Sequence, residues 1–211
     1  RKKVTIDLHG DFGIKRIMSE GIKETKSEIR RRVLRLREEL GPEDQKRGRV
    51  LLTERILGHQ WFYGSEELLC FVSFGSEIDT GGIWQEALRL GKAVYMPRVE
   101  AEGAASIMQF YQIKSAAQLR PGYRGIFEPV EGLPKYEYRE ERANRVLMIM
   151  PGAAFDGQRN RLGYGKGFYD RYLADKEALW LRTIGVGFSC QMVEEIPKSA
   201  ADIRPYQVIC V

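Results

Sequence analysis

Apolar positions along residues 26–40 recur at helical spacing. Ile29, Val33, Leu36 and Leu40 fall at i, i+4, i+7 and i+11, so the segment predicts an amphipathic helix with that stripe inward. Gly41-Pro42 ends it, and Lys26 and Arg30 stand one turn apart beside the stripe. A second helix is predicted over 43–58, with Val50, Leu51, Ile56 and Leu57 inward. Residues 68–74 form a continuous apolar run of the length of a buried strand. A loop over 75–80, a helix over 82–90 closed by Gly91, and a strand over 93–96 stopped by Pro97 follow. Residues 106–113 alternate loosely and read as a strand, whereas 114–140 carry Pro121, Gly122, Gly125, Pro129, Gly132 and Pro134 and read as loop. A buried strand over 145–150 ends at Pro151-Gly152; a helix over 168–181 and strands over 183–188 and 206–211 complete the chain. Strands that alternate with helices pair in parallel through right-handed crossovers. The expected fold is α/β: a three-layer α/β/α sandwich with a mostly parallel central sheet, built as one domain over 25–211. Residues 1–24 lack periodicity and read as an N-terminal extension without an assigned role.

Composition narrows the class of function. The chain has 211 residues, 43% apolar and 30% charged, values that exclude a disordered, collagen-like or coiled-coil protein. No stretch approaches the ~18 apolar residues of a membrane span, and Arg1 to Asp7 are not followed by the apolar run of a secretory signal. Cys70, Cys190 and Cys210 are odd in number and far apart, which fits neither a disulfide framework nor a zinc site and predicts a reducing, cytoplasmic location. His9 and His59 are the only histidines, too few for a histidine-based metal or triad site. The net charge of +5 lies at one end: residues 1–60 hold 16 Lys/Arg against 10 Asp/Glu, the rest 18 against 19. A local excess fits an anionic small ligand or a solvated helix face better than a nucleic-acid surface.

Residues 151–173 carry the chemistry. They join a buried strand to a helix, the place where open α/β sheets bind ligands. Gly163, Gly165 and Gly167 alternate, which lets the main chain bend and approach a ligand without Cβ clashes. Successive N–H groups in such a bend, with a helix N-terminus behind them, suit an anion. Arg159, Arg161 and Lys166 add positive charge, so the segment predicts a polyphosphate cradle. The spacing G-x-G-x-G is neither the dinucleotide fingerprint nor the P-loop. Asp170 and Asp156 compete as the carboxylate that would hold Mg²⁺ beside phosphate. Tyr164 and Phe168 are placed to stack on a flat heterocycle.

The run Pro151-Gly152, Phe155-Asp156 and Asn160-Arg161-Leu162-Gly163-Tyr164-Gly165-Lys166-Gly167-Phe168-Tyr169-Asp170 resembles the signature of the 5-formyltetrahydrofolate cyclo-ligase (5,10-methenyltetrahydrofolate synthetase) family. Lys26-Ser27-Glu28-Ile29-Arg30, Phe74-Gly75-Ser76-Glu77-Ile78-Asp79-Thr80, Met96-Pro97-Arg98 and Gly125-Ile126-Phe127-Glu128-Pro129 resemble further family segments in the same order, and the similarity spans 25–211. The resemblance implies a ligase that closes 5-formyltetrahydrofolate to 5,10-methenyltetrahydrofolate with ATP as co-substrate and Mg²⁺. It implies ATP binding by Lys26, Arg30 and the loop Arg161, Leu162, Gly163, Tyr164, Gly165, Lys166, Gly167, Phe168 and Tyr169. Folate binding falls to Val72, Phe74, Glu77, Tyr164, Lys166 and Phe168, with Lys166, Tyr164 and Arg161 nearest the chemistry and Asp170 and Asp202 at the metal. The chain departs from the family pattern at position 206, where Tyr206 stands in place of a second acidic residue four positions after Asp202.

The implied chemistry suits these residue types. An amide oxygen leaves poorly until it is phosphorylated, and phosphoryl transfer needs positioning and charge stabilisation more than a nucleophile. Lys26, Arg30 and Lys166 supply charge. The resemblance implies small-molecule partners, a monomer or weak homodimer, and neither nucleic acid nor membrane. Two rival readings stand beside it: a sugar-phosphate isomerase or deaminase of similar architecture, and a non-catalytic binder of folate or RNA.

Overall fold

The computed structural model describes residues 24–102 and 105–211. The segment read as an extension lies outside the described residues apart from Glu24. In chain order the elements are α1 (Lys26–Glu38), α2 (Pro42–Leu57), α3 (Gln60–Gly64), β1 (Glu67–Leu69), α4 (Gly81–Arg89), β2 (Ala93–Glu102) and β3 (Ala105–Ile113). There follow β4 (Leu119–Pro121), β5 (Phe127–Pro129), β6 (Val146–Met150), β7 (Ala154–Asp156), β8 (Arg161–Leu162), α5 (Phe168–Leu173), α6 (Glu177–Trp180), β9 (Thr183–Gly187), β10 (Met192–Val193) and β11 (Gln207–Cys210).

The central sheet runs β11-β9-β6-β1-β2-β3. All pairings are parallel except β2 with β3. Alternate residues of β6 serve opposite faces. Leu147 and Ile149 meet Leu52 and Ile56 of α2 and Ile83 and Ala87 of α4. Val146, Met148 and Met150 meet Tyr172 and Leu173 of α5 and Leu179 of α6. Helices thus cover both faces, the expected three layers.

α1 starts at a capping box, and the buried faces of α1 and α2 differ from the expected stripes. At α1, Glu28 donates its backbone N–H to the Thr25 hydroxyl, and its carboxylate accepts the Thr25 N–H at 2.8 Å. The buried positions of α1 are Ile29, Val33 and Arg37, and Leu36 is 38% exposed. Ile29 and Val33 pack on Ala154 and Leu162 of a small second sheet, β10-β7-β8, and on Ile196 beyond it. In α2 the buried set is Gly48, Leu52 and Ile56, and Val50 and Leu51 face outward. Gly48 decides that face: a Cβ there would lie 2.5 Å from the Phe188 ring, so only glycine allows this approach.

Three strand and helix boundaries also depart from expectation. The run over 68–74 keeps only Glu67–Leu69 in the ladder. Beyond it, side chains close the loop: the Thr80 hydroxyl donates to the Phe71 carbonyl at 2.6 Å, and the Ser73 hydroxyl donates to the Ile78 carbonyl at 2.7 Å. Pro97 does not stop β2, which continues to Glu102 as a hairpin with β3. The Tyr95 carbonyl accepts from Cys70 on the β1 side, so the nitrogen of Pro97, two residues on, faces that same side. β1 has ended there at Leu69, and the missing donor breaks no ladder bond. The helix expected over 168–181 is two short ones, interrupted where Lys176 leaves helical geometry (φ −128°, ψ 56°), which brings Leu173 and Leu179 into one apolar cluster.

Gly185 of β9 shows how tightly the sheet meets the site segment. A Cβ there would lie 2.6 Å from the Phe155 ring and 2.9 Å from Pro205. Gly185→Ala is expected to lower stability by ~1–3 kcal/mol through overpacking, read as a lower midpoint in denaturant with an unchanged slope.

Candidate active site

β7, a tight turn and β8 form the first half of the site segment, and Asp156 holds that half together. Its Oδ1 accepts the N–H groups of Gln158 and Asn160, each at 2.9 Å. Its Oδ2 accepts the Asn160 amide at 2.7 Å and the Ile196 N–H at 3.0 Å. The carboxylate is 2% exposed, and these four donors saturate it. Asp156 is therefore a structural clamp with no acceptor direction left for a metal. Arg159 does not join the expected cradle. It adopts φ 67° at the turn, and its guanidinium donates to the Tyr206 carbonyl and lies 5.6 Å from the Tyr206 ring.

Arg161 is the buried centre of the segment. One guanidinium nitrogen donates to Asp170 Oδ1 at 2.9 Å, with only 3% of the Arg161 side chain exposed. That oxygen also accepts the Ile203 N–H at 3.1 Å, joining α5 to the segment before β11. Arg161 Nε is buried with no partner among the described residues. After β8 the chain turns through Gly165 (φ 96°) and Gly167 (φ 63°), conformations that side chains with a Cβ rarely adopt. Arg30 fastens this turn to α1 by donating to the Gly163 carbonyl at 2.9 Å. Leu162 sits in the core under α1. The helix that follows has six residues, so the dipole behind the loop is weaker than the long expected helix would give.

The loop forms one wall of a cleft of about 290 Å³. Val72, Phe74, Glu77, Tyr164, Lys166 and Phe168 all line it, as do Arg161, Gly163, Gly167, Tyr169 and Asp170. The opposite wall is Pro97 and Val99 of β2 and Met108 of β3, with Tyr123 and Arg124 at one end. Glu128 secures that end by accepting the Val99 N–H at 3.1 Å and the Tyr123 N–H at 3.2 Å. Burial pushes the Glu77 carboxyl above its usual range. Hydrogen bonds from Tyr164 and from the Phe74 N–H, and the charge of Arg37, only partly oppose that rise.

Four of the expected nucleotide residues and one metal residue do not line the cleft. Lys26 and Arg30 stand on α1, and Leu162 and Gly165 of the loop itself do not reach the cleft surface. Asp202 lines a neighbouring depression of about 430 Å³ with Asn160, Lys198 and Arg204, and Arg161 lies on both. Lys26 and Asp202 form an ion pair. Burial alone would raise the Asp202 carboxyl, but hydrogen bonds from Lys26 and Ser199 prevail and hold it below its usual range. No group of three or more His, Cys, Asp or Glu among the described residues is placed to hold a metal ion.

A profile of the 5-formyltetrahydrofolate cyclo-ligase family matches residues 22–211, nearly the whole chain. The chain belongs to that family. A probable 5-formyltetrahydrofolate cyclo-ligase of Caenorhabditis elegans is 32% identical over 193 residues, covering 89% of this chain and 93% of the relative. The cyclo-ligase of Escherichia coli K12 is 29% identical and covers 79% and 90%. Among solved structures, the 5,10-methenyltetrahydrofolate synthetase of Aquifex aeolicus superposes with a TM-score of 0.70 at 32% identity, covering 85% of this chain and 86% of that one.

Within this cyclo-ligase frame, sequence reasoning missed Arg37, Tyr123, Arg124 and the buried role of Glu128. Arg37 carried a signal: it lies eight residues after Ile29, in phase with Ile29 and Val33. Glu128 lay within a quoted family segment without a role. Tyr123 and Arg124 had no periodic signal, because a tight turn with Arg124 at φ 55° places them.

Proposed function

We propose that this chain closes 5-formyltetrahydrofolate to 5,10-methenyltetrahydrofolate with ATP, releasing ADP and phosphate. The observation that carries the reading is the loop from Arg161 to Gly167, which walls an apolar cleft bearing Glu77 and joins it, through Arg161, to a cation-flanked depression. The apolar side suits a pterin ring and the cationic side a polyphosphate. The buried Nε of Arg161, without an acceptor among the described residues, is what an anion site leaves open. The γ-phosphoryl group passes to the formyl oxygen as its bond to ADP breaks. N10 then attacks the activated carbon, loses its proton, and phosphate departs with the former formyl oxygen. Lys166 and Arg161 offset the negative charge of the transferring group, and the loop orients it.

Asp170 and Asp202 are the residues that would hold Mg²⁺. The bonds that Asp170 accepts both fall on Oδ1, which leaves Oδ2 for a cation. One or two carboxylates suit an ion that arrives on a nucleotide and keeps several waters. When bound, the ion neutralises phosphate charge. The reading places the enzyme in the cytoplasm, supported by three cysteines that are all unpaired thiols.

Purified protein given 5-formyltetrahydrofolate, ATP and Mg²⁺ is expected to develop the near-ultraviolet band of the methenyl product, and not to do so without ATP. No ATP-dependent band overturns the reading. A second expectation concerns pH. Glu77 accepts paired hydrogen bonds from the pterin edge on both oxygens only as a carboxylate, and burial raises its pKa. The folate KM is therefore expected to rise on acidification at a pH above the ordinary glutamate range. In Glu77→Gln the KM is expected to be high and flat across that range; an unchanged pH profile refutes the role.

A further inference from the structure

Arg37 is a charged side chain on the buried stripe of α1, 5% exposed. Burying a guanidinium is costly unless its hydrogens find acceptors. Here two of them bind the two loops that frame the cleft. Nε donates to the Ser76 hydroxyl at 3.0 Å, on the loop after β1. A terminal nitrogen donates to the Tyr164 hydroxyl at 2.6 Å, on the loop after β8. The Tyr164 hydroxyl in turn faces the Glu77 carboxylate on the cleft wall, and that carboxylate accepts the Phe74 N–H at 3.0 Å. Because the phenol oxygen accepts from Arg37, its own hydrogen is free to point toward that carboxylate, and guanidinium, phenol and carboxylate polarise one another. An ionised carboxylate has about four acceptor directions. Phe74 and Tyr164 take two, and the others remain for paired N–H donors of a flat amino-heterocycle in the cleft.

We infer that Arg37 is a positioning residue for the folate: through the Tyr164 hydroxyl it fixes the Glu77 carboxylate in the orientation that receives the pterin edge. The inference rests on the folate occupying this cleft, as proposed above. Arg37 stands on the wall of that cleft and spends its donors on the two loops that frame it, so its influence falls on folate binding and not on the nucleotide.

The test is steady-state kinetics of Arg37→Met, Tyr164→Phe, the double variant and Arg37→Lys. Loss of one charge-assisted hydrogen bond is expected to raise the folate KM about ten- to hundredfold. In Arg37→Met the ATP KM and kcat stay within about twofold, because the lost interaction is made equally in the ground and transition states. The double variant is expected to be no worse than the more affected single variant, since both break one chain. Arg37→Lys, which keeps one donor, recovers part of the loss. A merely structural arginine predicts the opposite split: a smaller active fraction that lowers kcat and leaves both KM values alone. An unchanged folate KM in Arg37→Met, an equal rise in the ATP KM, or effects that multiply in the double variant each overturn the inference. If Arg37→Met does not fold, Tyr164→Phe decides alone, and an unchanged folate KM refutes the route. Phe74→Ala separates the two readings. If it leaves the folate KM unchanged, the cleft is not the folate site; if it raises that KM while Arg37→Met does not, only the role of Arg37 falls.

Discussion

Lys166→Met is expected to lower kcat about 10²–10³-fold, the size of effect seen when a preorganised donor to transition-state charge is lost. Lys166 lines the cleft on the exposed crest of the loop. Its ammonium makes no ion pair or hydrogen bond with a side chain among the described residues. The loop does not depend on that ammonium: the Lys166 backbone carbonyl accepts from Arg171 at 2.6 Å, and the turn is fixed by Gly165, Gly167 and Arg30. The substitution therefore removes charge and leaves architecture. The thermal midpoint should stay within a degree or two of the parent, as for a surface change away from core features. Single-turnover measurements with both substrates saturating separate the chemical step from binding. A rate within about threefold of the parent refutes the role of Lys166 in stabilising the transferring phosphoryl group.

Asp156→Ala is expected to have the opposite profile, a collapse of stability. The carboxylate satisfies four donors, three of them backbone N–H groups from two separate chain segments. Removing it leaves buried donors without acceptors, at ~1–3 kcal/mol each. Local rearrangement recovers part of that, and a net loss of ~3–5 kcal/mol is the expected scale for breaking a buried network. For a chain of this size that is a fall of ~10 °C in the midpoint of unfolding. Asp156→Asn keeps one carbonyl acceptor and should lose about half as much. Scanning calorimetry of the three proteins checks the order. An alanine variant as stable as the parent would show that the clamp is not needed to hold the Ile196 segment against the site loop.

The parts of the fold legible in the sequence are those with long periodic runs. Residues 146–150 are continuously apolar because helices cover both faces of β6, and residues 184–188 carry no polar side chain because β9 is buried throughout. Short elements carried too little pattern: β7, β8 and β10 have three, two and two residues, and a period cannot be read from them. Pro97 misled because a proline stops a strand only where a paired neighbour needs its N–H, and β1 has ended before it. The stripe of α1 misled because Arg37 occupies a place that hydrophobicity alone assigns to Leu36. In the site, the glycines and Lys166 were visible as residue types. The separation of Asp156 from Asp170 was not, since both are aspartates near the same glycines and only their hydrogen-bond partners distinguish them.

The continuation of β2 past Pro97 has a consequence for how such enzymes diversify. Beyond Leu69 the far wall of the cleft is a two-stranded overhang, with β3 as the partner that carries it. The glycine loop opposite is anchored elsewhere, by α1 and the segment before β11. The reach and tilt of the overhang can therefore drift over generations, retuning the width and length of the cleft, while the loop opposite keeps its geometry.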